Sequence, residues 1–430
     1  MHFAMTSTEF QFPYDESILT AHLPADNISL ILSKRDVKSL KNVEEAITSS
    51  LRSPTGCPAL SECVTEHNKV VIIVTDNTRA CPDDILLPPI LTELERKLPR
   101  ENITIMIALG LHQPLNKPEL VKKLGRDIVE NYNVVNHDVN QTANIGTTSR
   151  GTPVDIDTKV MEADFRISTG CIEPHFFAGF SGGRKSVAPG VFSVRAAYKN
   201  HGYKMIEHPC AKAGILKGNP IHEDMVEQAR IAKLNFIVNV ILNKKHQITH
   251  IVAGNPFKAH EEGCKLEKKI AGVKVAHKVD ITITTNGGAP LDRDLYQTCK
   301  GIDNASSITR DGGIIIIASS CRAGIGLKSF KELHSSVRSP KEVLQKIKRE
   351  EPIGVQWQNQ ILARTQLKND IYLVSNLADN LVKDMMIAPI STIEEGLEKA
   401  FRVLGNEAEI ALIPEGPSVL PLLEDGHRSS

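Results

Sequence analysis

The sequence predicts an α/β protein of two α/β domains, each with a mostly parallel sheet. Three observations predict it. Short apolar runs rich in β-branched residues recur, such as KVVIIVTD at 69–76, and each ends in a polar turn. Runs of that kind read as strands buried on both faces of a parallel sheet. Helical stretches alternate with them, the order expected of βαβ units. The 430 residues exceed what one ordinary core organises.

The elements follow in order. Alternating stretches at 9–13 and 17–23 read as a hairpin, and 43–51 as a helix. The strand 69–76 leads to a helix at 83–97, and a strand at 102–110 ends at Gly110-Leu111-His112. A helix at 118–124 and strands at 132–136 and 165–170 come next. The segment 173–190, EPHFFAGFSGGRKSVAPG, alternates at neither period and reads as a loop. Beyond it lie helices at 193–198 and 221–233, strands at 236–243 and 248–252, and a helix at 257–270. A second alternating series runs from a strand at 281–286 to a last strand at 409–414. The expected division is a domain of residues 1–271, a domain of 272–423 and a disordered tail, 424–430.

Composition narrows the function. Fifty-one basic residues balance 51 acidic ones, which argues against a general nucleic-acid or anionic-membrane surface. No apolar run approaches a membrane span, and the first residues lack a signal-peptide pattern. The eight cysteines are scattered without a C-x-x-C pair, as in a reduced cytoplasmic protein. The expected location is therefore the cytoplasm.

Ligands of such sheets bind beyond the carboxyl ends of the strands. Three segments in that place carry chemistry: 76–79, 110–113 and 173–185. The last places Gly179, Gly182 and Gly183 before Arg184-Lys185-Ser186; glycines there would let backbone approach a ligand closely. A P-loop needs glycine before its lysine, and Arg184 stands there, so a nucleotide triphosphatase is disfavoured. Asp76-Asn77-Thr78-Arg79 offers a carboxylate and a guanidinium that can grip an anion, or equally a turn with a helix cap. His112, His175 and His201 lie in loops, with separations that match no local zinc motif; such histidines suit acid–base work near neutral pH. On a helix, Gln297 and Lys300 of Tyr296-Gln297-Thr298-Cys299-Lys300 would share a face, where an amide and an ammonium suit a carboxylate.

Taken together, DNTR at 76–79, GLH at 110–112, the whole of 173–190, NHG at 200–202 and YQTCK at 296–300 resemble the nickel-pincer lactate racemases and their 2-hydroxy-acid racemase and epimerase relatives. Trp357, the only tryptophan, falls where that family is expected to have one. The resemblance covers nearly the whole chain. It implies a nickel-pincer pyridinium thioamide/thiocarboxylic acid mononucleotide, bound covalently to Lys185, with His201 as the protein ligand to nickel. It implies His112 and His175 as acid–base residues, Asp76, Asn77, Thr78 and Arg79 as cofactor contacts, and Arg79, Tyr296, Gln297, Lys300 and Trp357 around the substrate. It also implies a cleft between the domains as active site, and cofactor-biosynthesis proteins as partners beside a small 2-hydroxy acid. Gln113 departs from the arginine that many relatives carry there.

The chemistry fits those residue types. The α-hydrogen of a 2-hydroxy carboxylate is a poor acid, because the neighbouring carboxylate resists more negative charge. Removal as hydride leaves a planar 2-keto acid that can be reduced on either face, and a hydride acceptor must come from a cofactor. One base on each side of the plane then accounts for two histidines. The expected activity is a lactate-type racemase or epimerase. Rival readings are an epimerase of a longer sugar acid and a non-catalytic cofactor-binding protein.

Overall fold

The computed structural model describes residues 7–424. The expected disordered tail, apart from Glu424, lies outside them. The chain forms two compact units, one of residues 36–270 and one that joins residues 1–35 to 271–430. The sequence assigned 1–271 to the first domain, so its first 35 residues change sides. The reason is apolar. Phe12, Ala21 and Leu23 of the hairpin Ser7–Tyr14/Ser17–Pro24 pack with Ile281, Ile283, Ile314 and Leu412. The strand Ile28–Ile31 then adds to the edge of the same sheet beside Ile410–Ile413.

The unit of residues 36–270 is built on a six-stranded sheet. Its order is Ile248–Gly254, Phe236–Leu242, Phe165–Cys171, Val70–Thr75, Ile103–Ala108, Asn133–Asn136. All neighbours are parallel except the first pair. Val70, Val71, Ile72, Ile73 and Val74 are all buried, as a strand covered on both faces requires. Helices start where the sequence supplies caps: Asn116 and Glu119 form a reciprocal capping box on Lys117–Leu124, and Asn219 caps Pro220–Ile231. The other unit carries a fully parallel sheet in the order Ala388–Ile390, Asp370–Val374, Thr309–Ala318, Val279–Thr285, Ile410–Ile413, Ile28–Ile31. The α/β class and the mostly parallel sheets are those the sequence predicts.

Two departures matter. The antiparallel pair Thr142–Thr147/Pro153–Asp157 stands where the sequence shows no strand pattern. The helix Gln356–Gln366, which carries Trp357, was not anticipated either. It opens QWQNQ, and Gln356, Gln358, Asn359 and Gln360 are all buried, so no polar stripe marks its period.

Candidate active site

Three neighbouring parallel strands, Phe165–Cys171, Val70–Thr75 and Ile103–Ala108, end at one edge of their sheet, and each delivers one motif there. Asp76 is the first residue past its strand and is buried. Its Oδ2 lies 2.5 Å from Nδ1 of His112, and its Oδ1 accepts from the Thr78 amide at 3.1 Å and hydroxyl at 2.6 Å. Burial pushes the Asp76 carboxyl up, but the His112 bond and charge, the Arg79 charge and the Thr78 bond outweigh it and hold it well below the usual range. Both oxygens are therefore engaged within the chain. Asn77 is exposed and its amide reaches Glu119 at 3.3 Å.

Beneath this turn is a buried ion pair that sequence reasoning missed. Lys123 Nζ stands 2.9 Å from Asp83 Oδ2 and donates to the carbonyl of Cys81 at 2.7 Å and to Thr75 Oγ1 at 3.1 Å. Thr169 Oγ1 donates to Asp83 at 2.5 Å, which ties the next strand to the same carboxylate. Lys123 sits on the helix read at 118–124, and nothing in its spacing marks it.

The segment 173–190 is not an exposed loop. It is a folded plug with a two-residue strand pair, Pro174–His175 with Gly179–Phe180, and a short 3-10 turn Gly183–Ser186. Phe176, Phe177 and Phe180 are buried. Arg184 is 1% exposed and organises the plug from inside. It donates to the carbonyls of Ala178 at 2.7 Å, Phe180 at 2.8 Å and Gly182 at 3.2 Å. Its Nη1 also meets His260 Nε2 at 3.0 Å. Burial draws the Arg184 pKa down to about 10, which leaves it charged at neutral pH. The guanidinium takes the place of the P-loop glycine, and the carbonyls it gathers point inward instead of leaving amides for phosphates.

The glycines also serve the interior. Gly182 has φ +73° and a Cβ there would come 2.8 Å from Asn239 Oδ1; at Gly179, φ +80°, it would come 2.3 Å from the Ile215 carbonyl. Close packing within the protein, not approach to a ligand, is what excludes a side chain at these two positions.

His175 is buried between Phe176, stacked at 4.9 Å, and Phe177, edge-on at 4.6 Å. Its Nδ1 accepts from the Ala178 amide at 3.3 Å. Phe177 in turn meets the ring of His201 edge-on at 4.8 Å. His201 ends the helix Val194–Asn200 and is 4% exposed. Burial first, and then the charge of Lys185, push its pKa well below the ordinary value, so the ring is neutral. Nδ1 of His201 is 2.8 Å from Oδ1 of Asn200. The Asn200 amide nitrogen donates to Asp224 Oδ2 at 2.6 Å. Lys185 is partly exposed, one step past Arg184. The loop of His112 joins the end of the plug through the Gly110 amide and the Gly190 carbonyl, 2.8 Å apart.

The structure thus gathers Asp76, Thr78, Arg79 and His112 in one group, and His175 and His201 on either side of Phe177, with the Lys185 charge acting on His201, in another, both on the same unit. Tyr296, Gln297, Lys300 and Trp357 belong to the other unit. Gln297 and Lys300 do share the helix Leu295–Ser306, capped by Asp294 through the Gln297 amide at 2.8 Å. Gln297 Oε1 is buried without a hydrogen-bond partner among the described residues. Tyr296 stands edge-on to Phe330 at 5.7 Å, and Trp357 is buried on a helix packed against Leu295–Ser306. Among the described residues no three His, Cys, Asp or Glu side chains are placed to hold a metal ion. No helix among the described residues is long and apolar enough to cross a membrane.

Comparison with known proteins bears on this arrangement. The family model described as the lactate racemase N-terminal domain matches residues 14–214, and that of the lactate racemase C-terminal domain matches residues 274–421. A lactate racemase of Thermoanaerobacterium thermosaccharolyticum is 38% identical over 419 residues, covering 95% of this chain and 98% of that protein. A lactate racemase of Lactiplantibacillus plantarum is 38% identical over 417 residues, with 95% and 98% covered. The structure of the T. thermosaccharolyticum lactate racemase apoprotein superposes with a TM-score of 0.92 at 37% identity, covering 96% of this chain and 100% of that one. A Thermotoga maritima protein shares the fold at 18% identity with a TM-score of 0.69, covering 89% and 98%.

Proposed function

The chain belongs to the lactate racemase family and is an isomerase of the racemase class, and from that premise we propose that it interconverts the enantiomers of lactate at the site on residues 36–270. The observation that carries the reading is the pair of histidines with opposite hydrogen-bonding. Nδ1 of His112 faces a carboxylate, so it holds the proton and Nε2 keeps a lone pair, the form of a base. Nδ1 of His175 accepts from a backbone amide, so in the neutral ring Nε2 holds the proton, the opposite tautomer to that of His112. Inversion of a hydroxyl-bearing centre calls for a base toward one configuration and an acid toward the other.

The residues present fit the nickel-pincer mononucleotide that the sequence implies. Lys185 is partly exposed and its charge acts on His201, whose neutral ring turns Nδ1 to Asn200 Oδ1. Lys185 would carry the group and His201 would complete the nickel coordination. When bound, the group supplies the hydride acceptor that no side chain can provide. The rest falls to the chain. His112 takes the hydroxyl proton of one enantiomer and His175 that of the other. Asp76 holds the His112 ring in one tautomer. Arg79 would grip the carboxylate by two parallel bonds. The buried rings of Phe176 and Phe177 would keep water from the side of the site that holds His175.

The test is production of the protein together with cofactor-building proteins. The expected results are nickel by metal analysis, added mass on Lys185, and conversion of either lactate enantiomer to the racemate. Absence of both nickel and adduct overturns the cofactor reading. A loaded protein that spares lactate but acts on malate, 2-hydroxyglutarate, phenyllactate or gluconate overturns the substrate.

A further inference from the structure

We infer that Asp224 is a positioning residue for His201, acting through the side-chain amide of Asn200 to fix which ring nitrogen of His201 carries the proton. Asp224 is fully buried on the helix Pro220–Ile231 and accepts three hydrogen bonds. Thr148 Oγ1 donates to its Oδ1 at 2.6 Å, and its Oδ2 takes the amides of Asn200 at 2.6 Å and Gln228 at 2.8 Å.

The chain of consequence starts at the carboxylate. An ionised carboxylate only accepts, so the group of Asn200 that faces it must be the NH2. The Ile221 carbonyl, 3.3 Å from the same nitrogen, makes the same demand. Two acceptors on one side therefore settle an amide orientation that coordinates alone leave to the network. With its nitrogen committed, Asn200 turns Oδ1 toward His201 Nδ1 at 2.8 Å. An amide oxygen cannot donate, so Nδ1 must carry the proton and Nε2 is left with its lone pair. Only that tautomer can bind a metal through Nε2. Partners of this kind, one shell behind a metal-binding histidine, set ring orientation and basicity, and losing one costs about 10–100-fold in metal affinity.

Asp224 lies 23 residues beyond His201 in the chain, on a helix that carries none of the sequence motifs itself. Thr148 brings in a third stretch, the turn between the strands Thr142–Thr147 and Pro153–Asp157. Its hydroxyl also accepts from the Thr152 amide at 3.1 Å, which directs its proton toward Asp224. Every group around the carboxylate is thus a donor.

The inference rests on His201 as the nickel ligand, but the tautomer is read without metal. In unloaded full-length protein labelled with 15N-histidine, long-range 1H–15N correlation should show His201 with Nδ1 protonated and Nε2 bare. Asp224→Ala should give a mixture of tautomers and, once loaded, about 10–100-fold weaker nickel retention against a chelator. Asp224→Asn keeps an acceptor toward Asn200 and should restore both. Should Asp224→Ala not fold, Asn200→Ala deletes the acceptor itself and should give the same mixture. A wild-type His201 protonated at Nε2, or a folded Asp224→Ala protein with its tautomer unchanged, overturns the proposal. Wild-type protein with the expected tautomer but no nickel overturns the metal reading instead.

Discussion

Asp76 and His112 are joined by a 2.5 Å contact between Oδ2 and Nδ1, across 36 residues of chain and two adjacent strands. The contact exists because Val70–Thr75 and Ile103–Ala108 end in register, Thr75 opposite Ala108. Each strand needs only a short turn to bring its residue to the meeting point. The motifs DNTR and GLH are therefore two halves of one device.

Asp76→Asn tests that device. An amide can turn its nitrogen toward His112 and hold the ring in the wrong tautomer. The loaded enzyme should lose about 10²–10⁴-fold in kcat, the scale of acid–base catalysis, with KM changed far less. Steady-state rates in both directions measure it, and a variant within threefold of wild type would remove Asp76 from the mechanism. The carboxyl is held below its usual range, so its contribution to stability is present above the ordinary carboxylate pKa of 3.8. It is lost only as pH falls toward the depressed value.

His112→Ala and His175→Ala should each reduce activity by about 10²–10⁴-fold. Enantiomers have equal free energy, so the equilibrium constant of the reaction is unity. It follows that kcat/KM must fall equally in both directions for either variant, however differently the two histidines are set in the resting protein. The difference should appear in kcat and KM separately. The double variant should lose far less than the product of the single losses, because residues that act as a unit are not additive. Unchanged turnover in either single variant would remove that histidine from the reaction.

Much of this was legible in the sequence, for particular reasons. A strand such as Val70–Thr75 announces itself because both faces are apolar, and a ligand edge follows from the parallel order. His112, His175, Lys185 and His201 stood out because histidine and lysine among glycines and prolines have few structural uses. What was not legible depends on contacts between distant stretches. Arg184 looked like a failed P-loop, and only the fold shows its guanidinium gathering carbonyls. Asp224, Asp83 and Lys123 sit on helices whose patterns are ordinary. The first 35 residues gave no sign of joining the other unit, because a hairpin's apolar face does not name its partner.

Arg184→Gln should unmake the plug. The guanidinium's bonds to the carbonyls of Ala178, Phe180 and Gly182 are charge-assisted, worth about 1.5–3 kcal/mol each before compensation. Glutamine reaches one or two of those acceptors. Arg184→Lys should be nearly as damaging, since an ammonium lacks the planar fork. Both should lower the melting temperature and, by mass measurement, the fraction of Lys185 carrying an adduct. Full loading with an unchanged melting temperature would show that the plug holds its shape without the guanidinium.

His334 should make the stability of its unit fall on acidification. The side chain is fully buried on the helix Lys328–Ser335, with Nε2 at 2.9 Å from Gln366 Oε1 and Nδ1 at 3.5 Å from the Asn359 amide. Burial pushes its pKa from 6.5 down to about 4, against the opposing pull of the Gln366 bond. The unfolded chain then binds a proton between those values that the folded chain refuses, so stability is complete above pH 6.5 and is lost as pH falls toward 4. At about 1.4 kcal/mol per pH unit, the loss reaches about 3 kcal/mol when the titration is complete. Urea unfolding from pH 7 to 4, compared with His334→Gln, isolates this residue by slope and not by absolute stability. The wild-type curve should be the steeper over that window. Parallel curves would mean that the ring titrates in the folded chain as freely as in the unfolded one, and that its burial opens to water before the unit unfolds.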